Sequence, residues 1–498
     1  MDRTLARRLL FVALAIGIAA DLLLDGPAFG INVPIMVAAV LAGGWFVRRR
    51  GRAPDPLDAW LPIAALVLAA FVAVRGDPFV ALLDTAGAAA FTGASLVAFS
   101  GLAVTRRSAS VVLAMGAWLM AVGMAGTPRL IRQARSPRGD APRRRPDWLA
   151  PLGRGLFLAV PLVLIFAVLF ASADPIFRRG MDDLLGWRID LGNLPGRVLF
   201  ILAVTWFMGG LLSVAATGIP DLERASLGAA ARTDRLPLER VLGAAEAIVV
   251  LVAVDLVVAL FVGLQVAYLF GGLDTLAAAG LTYSDYARRG YFELVAAAGL
   301  AGGVLVGLEL AVRTRPRVYV AAAMALVGLT VLVLASAALR LQLYQDAYGW
   351  TELRLYVAVS IVAMALSLAV LAIFLASDRT GWLGHAMAVI GLASLVGLNL
   401  LAPAAFVAQR NVERVLDPRL VPADGFAGLD TDYLQVLPDD AIPALVEALP
   451  RLPAESLVRV RVILLDRRRE LAGDPAFASP FSWNAGRNAA ETALSTLP

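Results

Sequence analysis

The sequence predicts an all-α fold, a polytopic transmembrane helical bundle followed by a small C-terminal helical extramembrane domain. Three observations carry this. Of the 498 residues 59% are hydrophobic, and the mean hydropathy is +0.76; a soluble chain sits near half apolar. Apolar runs of about 17–27 residues recur from end to end, and ~20 such residues span a bilayer core. Most arginines flank those runs, where they set orientation.

Composition also excludes function classes. All 44 basic residues are Arg, there is no Cys, and there is one His. Disulfides, thiolate metal sites, iron–sulfur clusters and bis-His haem are ruled out; a carboxylate-only metal site stays open, though neither a metal site nor a cofactor is expected. The net charge of +5 is accounted for by span-flanking arginines, so no nucleic-acid partner is expected. The Arg, Ala, Gly, Val and Leu bias suggests a GC-rich bacterial genome.

The basic N-terminus precedes run 9–24. It resembles a signal peptide, but Asp21 and the immediate run 27–47 favour a retained hairpin. Runs 58–74 and 79–104 flank an Arg75-Gly-Asp-Pro turn. Run 109–126 precedes a loop, 127–150, holding seven Arg and several Pro. Runs 151–172, 197–217, 244–270, 291–312, 318–339, 353–376 and 383–407 follow, making twelve. The divisions expected are 1–126 (N-terminal membrane segments), 127–150 (basic cytoplasmic loop), 151–407 (main membrane domain) and 408–498 (soluble tail).

Basic loops 127–150, 218–243 and 313–317 are placed inside. That puts 174–196, 271–290, 340–351 and the tail outside, in a bacterial inner membrane. The tail, with 10 Arg against 13 Asp and Glu, agrees. A basic N-terminus inside plus five crossings would leave 127–150 outside. Run 109–126, short and carrying three glycines, is therefore expected to lie in the interface or re-enter, giving eleven crossings.

The tail reads as short helices. Asp439 or Asp440 caps 441–449, with Pro443 in the first turn. Residues 454–471 align Leu457, Val460, Leu464 and Leu465 before Gly473, and 483–497 is a third helix.

Two polar patches stand out, 281–294 (LTYSDYARRGYFEL) and 339–357 (LRLQLYQDAYGWTELRLYV). Thr282 and Asp285 have capping-box spacing, predicting a helix from about Tyr283 through the ninth run. On it Asp285 meets Arg288 and Arg289, Arg289 meets Glu293, and Tyr286 shares a face with Glu293. In the second patch Arg340 and Tyr344 lie four apart, Tyr348-Gly349 stops a helix, and Thr351 caps its restart at Glu352 and Arg354. With Asp346, the patches hold four charges of each sign. They form either a structural lock with an interfacial tyrosine belt, or an outward anion or headgroup pocket built from Tyr286, Arg288, Arg289, Glu293, Arg340, Tyr344, Glu352 and Arg354.

Within the spans Asp255 lies near mid-membrane and Gln265 nearer the outside; Glu246 is half a turn round from Asp255. Asp255 is either a proton or cation site or an interhelical hydrogen-bond partner. Glu309 and Arg313 read as an ordinary pair, Asp84 and Asn399 as single polar residues, His385 as interfacial, and 296–303 as a close-packing stripe.

The stretches Leu169-Phe-Ala-Ser-Ala-Asp-Pro175, Gln265-Val-Ala-Tyr-Leu-Phe-Gly-Gly272, 281–294, 339–355, Asn411-Val-Glu-Arg414, 429–449 and Ser482-Trp-Asn484 resemble the bacterial membrane family numbered 4173 among domains of unknown function, close to that numbered 4153. The resemblance covers roughly 150–498, and the front only weakly, and implies membrane class and location, with no activity or catalytic residue. No catalytic motif is found, so whether the chain is an enzyme stays open. Three functions compete. The first is sensing, binding or transport through the outward cluster and Asp255. The second is a scaffold whose tail docks a partner. The third is a membrane enzyme on a lipid-linked substrate with Asp285, Glu293 or Glu352 as base. The partners implied are membrane lipid and an extracytoplasmic ligand or protein.

Overall fold

The computed structural model describes residues 3–24, 28–48, 53–107, 109–135, 194–218, 242–270, 290–312, 314–377, 380–422 and 425–498. Run 151–172 and most of loops 127–150, 174–196, 218–243 and 271–290 lie outside the described residues. Among those described, seven helices are long and apolar enough to cross a membrane, by length and composition.

The front unit comprises α1 (Arg3–Leu24), α2 (Asn32–Val47), α3 (Trp60–Val72), α4 (Pro78–Phe99), α5 (Ala109–Ala125), α6 (Thr127–Arg135) and α7 (Leu194–Thr217). The back unit comprises α8 (Ala244–Phe270), α9 (Tyr291–Ala311), α10 (Arg317–Tyr348), α11 (Glu352–Ser377) and α12 (Leu383–Leu401), the last also packing on α3, α4 and α5. The tail comprises α13 (Pro403–Leu416), α14 (Thr431–Gln435), α15 (Ile442–Ala448), α16 (Ala454–Ala472) and α17 (Ala485–Ser495). Each unit has its own apolar core, centred on Leu9, Leu96 and Leu212 in front, on Leu326 and Leu334 behind, and on Leu445, Leu464 and Leu494 in the tail.

The helices give the molecule two rims. Turns 28–31, 73–77 and 349–351 touch the tail on one rim: Ile31 N donates to Trp483 O (3.0 Å), Ala485 N to Ala73 O (2.8 Å), and Trp350 N to Asn411 Oδ1 (2.8 Å). The opposite ends gather arginine. There Arg106 pairs with Asp55 (2.8 Å), and Asp58 accepts from Val104 N (2.9 Å) and Thr105 N (2.8 Å). Helix α10, 32 residues long, measures ~48 Å and outruns a ~30 Å hydrocarbon layer. Its last turns therefore stand beyond that layer on the tail side.

Helix α5 leaves the arginine rim after Arg107, and α6 brings the chain back to it, where Arg3 Nε donates to Ala134 O (3.2 Å). The turn between them lodges inside the front unit: Trp206 O accepts from the Thr127 hydroxyl, and Trp206 Nε1 donates to Met124 O (2.7 Å). Glycine permits this. A Cβ on Gly210 would sit 2.2 Å from Val122 O and 2.8 Å from Gly123 Cα, so α5 and α7 cross backbone on backbone. Run 109–126 is therefore one 17-residue helix that turns at Gly126 into α6.

Several local expectations are revised. Helix α9 starts at Tyr291 after Gly290 (φ +87°), and the start expected near Tyr283 lies outside the described residues. The twelfth run breaks at Ala402 (φ 51°), where Pro403 starts α13. Glu309 pairs with Arg315, since α9 ends at Ala311 and the following turn folds Arg315 back; Arg313 lies outside the described residues. In residues 296–303 the alanines carry the packing, with Ala298 and Ala301 buried in the back core, while Gly302 and Gly303 face no described neighbour. A Cβ on Gly302 or Gly303 would meet nothing within 4 Å, and α9 lines an apolar cavity of about 180 Å³ with Met364 and Met387. Neither Asp439 nor Asp440 caps a helix, because each carboxylate is taken by a tertiary partner.

We expect Gly210→Val to destabilise the solubilised protein by at least ~2 kcal/mol, since backbone at the crossing cannot yield. Gly391→Ala, whose Cβ meets nothing within 4 Å, should be neutral or stabilising by up to ~1 kcal/mol. Thermal unfolding in detergent reads both; equal effects would refute the backbone crossing.

Candidate functional site

The tail meets the membrane domain through main-chain groups. Gly349 (φ +83°) ends α10, as Tyr348-Gly349 predicts, and Thr351 Oγ1 accepts from Arg354 N (3.3 Å), as a cap should. From α13, Asn411 brackets Trp350, accepting from its N and donating to its O, both at 2.8 Å. Arg414, 7% exposed, donates to the carbonyls of Gln345, Asp346, Ala347 and Phe426. It thereby satisfies the end of α10, which has no further helical donors. On the front unit, Asn484 donates to Val72 O (3.0 Å) and Arg75 O (2.8 Å), and its Oδ1 accepts from Arg487 N (3.1 Å) to start α17.

This joint brings carboxyl groups together. Asp77, 2% exposed, caps α4 by accepting from Phe79 N (2.9 Å) and Val80 N (3.2 Å), and its other oxygen accepts from the Tyr356 hydroxyl (2.5 Å). The Glu352 carboxyl adjoins Asp77, and its Oε1 is buried without a hydrogen-bond partner. Asp440, 7% exposed, accepts from Gly76 N (3.0 Å). Tyr433 Oη accepts from Glu352 N (2.8 Å). Among the described residues none of these three acids has an ion pair within 4 Å. Arg75 acts on Asp440 only at longer range, and its Nε is buried without a partner.

Burial pushes the Asp440 carboxyl above the ordinary carboxylate range, against Gly76 N–H and Arg75, which pull it down. Asp439 is raised for the same reason despite Arg467 (2.8 Å) and Arg487 (3.8 Å). Burial also pushes the Tyr433 hydroxyl up to about 12. Two adjoining carboxyls without a cation require a proton or a ligand between them at low dielectric.

The residues anticipated from sequence are partly assembled. Tyr286, Arg288, Arg289 and Asp285 lie outside the described residues. Glu293 is exposed on the first turn of α9. The two patches do meet: Arg340 Nη1 would lie 3.1 Å from a Cβ on Gly290, and the Tyr291 and Tyr344 rings are 5.7 Å apart. The Arg354 guanidinium stacks 3.9 Å over Tyr344 and donates to Gly349 O (2.5 Å), a locking role. Glu352 leaves this cluster and turns to Asp77. Asp255 and Gln265 are apart from both; Gln265 Oε1 accepts from the Ser336 hydroxyl and ties α8 to α10. His385 sits edge-on between Trp60 (5.3 Å) and Trp382 (5.9 Å) at the arginine rim. Sequence reading passed over Asp77, Tyr356, Tyr433 and Asp440 as seam residues. Only Asp77 carried a local signal, an acid before Pro78 at a helix start.

Seven apolar helices long enough to cross a bilayer, with short helices packed on their turns at one rim, fit a multi-pass α-helical membrane protein. The chain belongs to the family described as Domain of unknown function (DUF4153), whose model matches residues 61–448, more than three quarters of its length. The family is thus the neighbour, 4153, of the one the sequence resembles, and the match reaches further into the front half and stops in α15. No curated protein and no solved structure matches.

Replacing Arg414 by Met should unfasten α10 from α13, costing at least ~3 kcal/mol, since each hydrogen bond from a charged donor is worth ~1.5–3 kcal/mol. Lys should rescue little, because a single ammonium cannot span four carbonyls. Scanning fluorimetry of the solubilised protein distinguishes them; unchanged melting of Arg414→Met would contradict the joint described.

Proposed function

We propose that this is a bacterial inner-membrane protein with eleven crossings that senses or binds an extracytoplasmic ligand, and that its seam of acids is the responsive part. The carrying observation is the convergence of Asp77, Glu352 and Asp440 from three distant segments onto the tail joint, with no ion pair among the described residues and Arg75 acting on Asp440 only at longer range. Their charge state sets how firmly the tail is held. The orientation is supported by the arginines at 48, 106–107, 129–135 and 315–317, which lie at the rim opposite the tail. Lipid is the surrounding partner. The seam takes a proton or a small cationic group, not the anion that an arginine pocket would select.

A scaffold role is the second reading and draws on the apolar side chains the tail exposes: Leu416, Leu420, Phe426, Val436, Val458, Val462, Phe481 and Trp483. An enzyme role has only the unpartnered Glu352 oxygen in its favour.

Because the chain has no Cys, single cysteines report topology directly. Ser495→Cys should react with a membrane-impermeant maleimide in intact cells, and Gln133→Cys only after lysis. The reverse pattern would overturn the orientation.

The seam also gives a signed pH dependence. The docked tail raises the Asp440 carboxyl above its ordinary value, so docking favours the protonated form. Docking stability is full below the ordinary aspartate value, ~4, and falls as pH rises through the raised native value. Protection factors at amides 485–487, taken against the intrinsic base-catalysed exchange at each pH, should fall as pH rises in the wild type. The fall should be much smaller in Asp440→Asn, which keeps an acceptor for Gly76 N–H. Identical pH profiles would remove the seam from consideration.

A further inference from the structure

Beneath the seam, between α4 and α12, lies a second polar pair. Asp84 and Asn399 are both 0% exposed. Asn399 Nδ2 lies 2.9 Å from each Asp84 oxygen and 3.0 Å from Leu395 O. One amide nitrogen with two hydrogens thus faces three acceptors. Its partner atom, Asn399 Oδ1, is buried without any donor. Gly87 beside the pair leaves no spare room, since a Cβ there would lie 2.7 Å from Leu68 and 3.3 Å from Leu395. The charged groups acting on Asp84 are Asp77 and Arg75, both from the turn before α4; α12 offers only the neutral amide. Asp84 has no ion pair among the described residues.

An orphaned amide oxygen beside a carboxylate fits a pair with two bonded states. With Asp84 ionised, Nδ2 donates to the carboxylate and Oδ1 is left over. With Asp84 protonated, the amide turns over, and the carboxyl O–H donates to Oδ1. We propose that Asp84 is a proton-binding site inside the membrane domain, loaded from the tail rim past Asp77, with the Asn399 amide turning to accept the carboxyl hydrogen. The step is a single proton transfer: a hydronium at the rim becomes water, the Asp84 carboxylate becomes the acid, and no other bond changes. A closed pair at 2.9 Å has space for a proton and none for a hydrated cation. The proposal does not depend on the tail responding, so it survives if the seam reading fails.

Infrared difference spectra of the full chain in nanodiscs, acid minus alkaline, test this. The wild type should gain a carboxylic-acid carbonyl band that Asp84→Asn abolishes. Asn399→Leu should shift the band to higher frequency by removing its hydrogen bond, and Asn399→Gln should return it. Should Asp84→Asn not fold, Asp84→Glu serves, since only a band belonging to position 84 will move. A wild-type band indifferent to position 84, or no such band at any pH, overturns the proposal. A band that responds to Asp84 but not to either Asn399 variant overturns the amide exchange.

Discussion

The architecture rests on one constraint: turns at a bilayer rim expose main-chain groups that helices cannot satisfy, and here the tail satisfies them. Arg414 and Asn411 serve the end of α10 and Trp350. Asn484 serves the end of α3, Gly486 N donates to Val74 O (3.0 Å), and Trp483 O serves Ile31. Front and back units therefore share one plate. Packing at the plate is backbone-close: a Cβ on Gly30 would lie 2.4 Å from Trp483 O, and one on Gly486 would lie 1.9 Å from Asp440 Oδ1. Small residues at these contacts are a steric requirement of the joint.

The same constraint explains the electrostatics. Arginines near the joint are committed to carbonyls and rings: Arg414 to four carbonyl oxygens, and Arg354 to Gly349 O and Tyr344. Arg487 serves Leu471 O (2.8 Å) along with Asp474 and Glu491. Of these none forms an ion pair with the acids that cap and bind amides on the membrane side, and Arg75 acts on Asp440 only from beyond ion-pair range. Asp77 and Asp440 are there because turns need acceptors, and their burial follows from the plate above them. Unpaired charge at the seam is thus a consequence of how the backbone is satisfied.

Much of this was legible in the chain. Apolar length and flanking arginine located the helices; Gly349 and Thr351 marked the α10–α11 turn; short length and three glycines singled out run 109–126. Those signals are local, and local rules read them. Asp440 looked like a cap, since capping is a short-range rule, yet Gly76, 364 positions away, claimed it. Glu352 looked like an arginine partner because the chain offers Arg354 nearby, but α11 turns its first residue toward α4. The glycines of α9 looked like a seam although spacing cannot say what faces them, whereas Gly210, in an unremarkable run, made the closest crossing.

The treatment of buried acids within the membrane domain separates locking from function. Asp21, 4% exposed, is held by Arg197 at 2.6 Å and ties α1 to α7. Glu309, 6% exposed, is held by Arg315 at the foot of α9 and α10. In these two the carboxylate that fastens helices is given a guanidinium, whereas Asp58 at the arginine rim is fastened by the N–H groups of Val104 and Thr105. Asp84 is buried more completely than either, yet it faces an amide, although Arg75 lies close enough to act on it. An amide has a donor and an acceptor on one rotatable group, so it can hold either form of its partner. A fastening would gain from the arginine and lose from the orphaned oxygen. A group that must change its proton gains from the free oxygen and from Arg75 being held beyond ion-pair range, because a paired guanidinium would favour the ionised form.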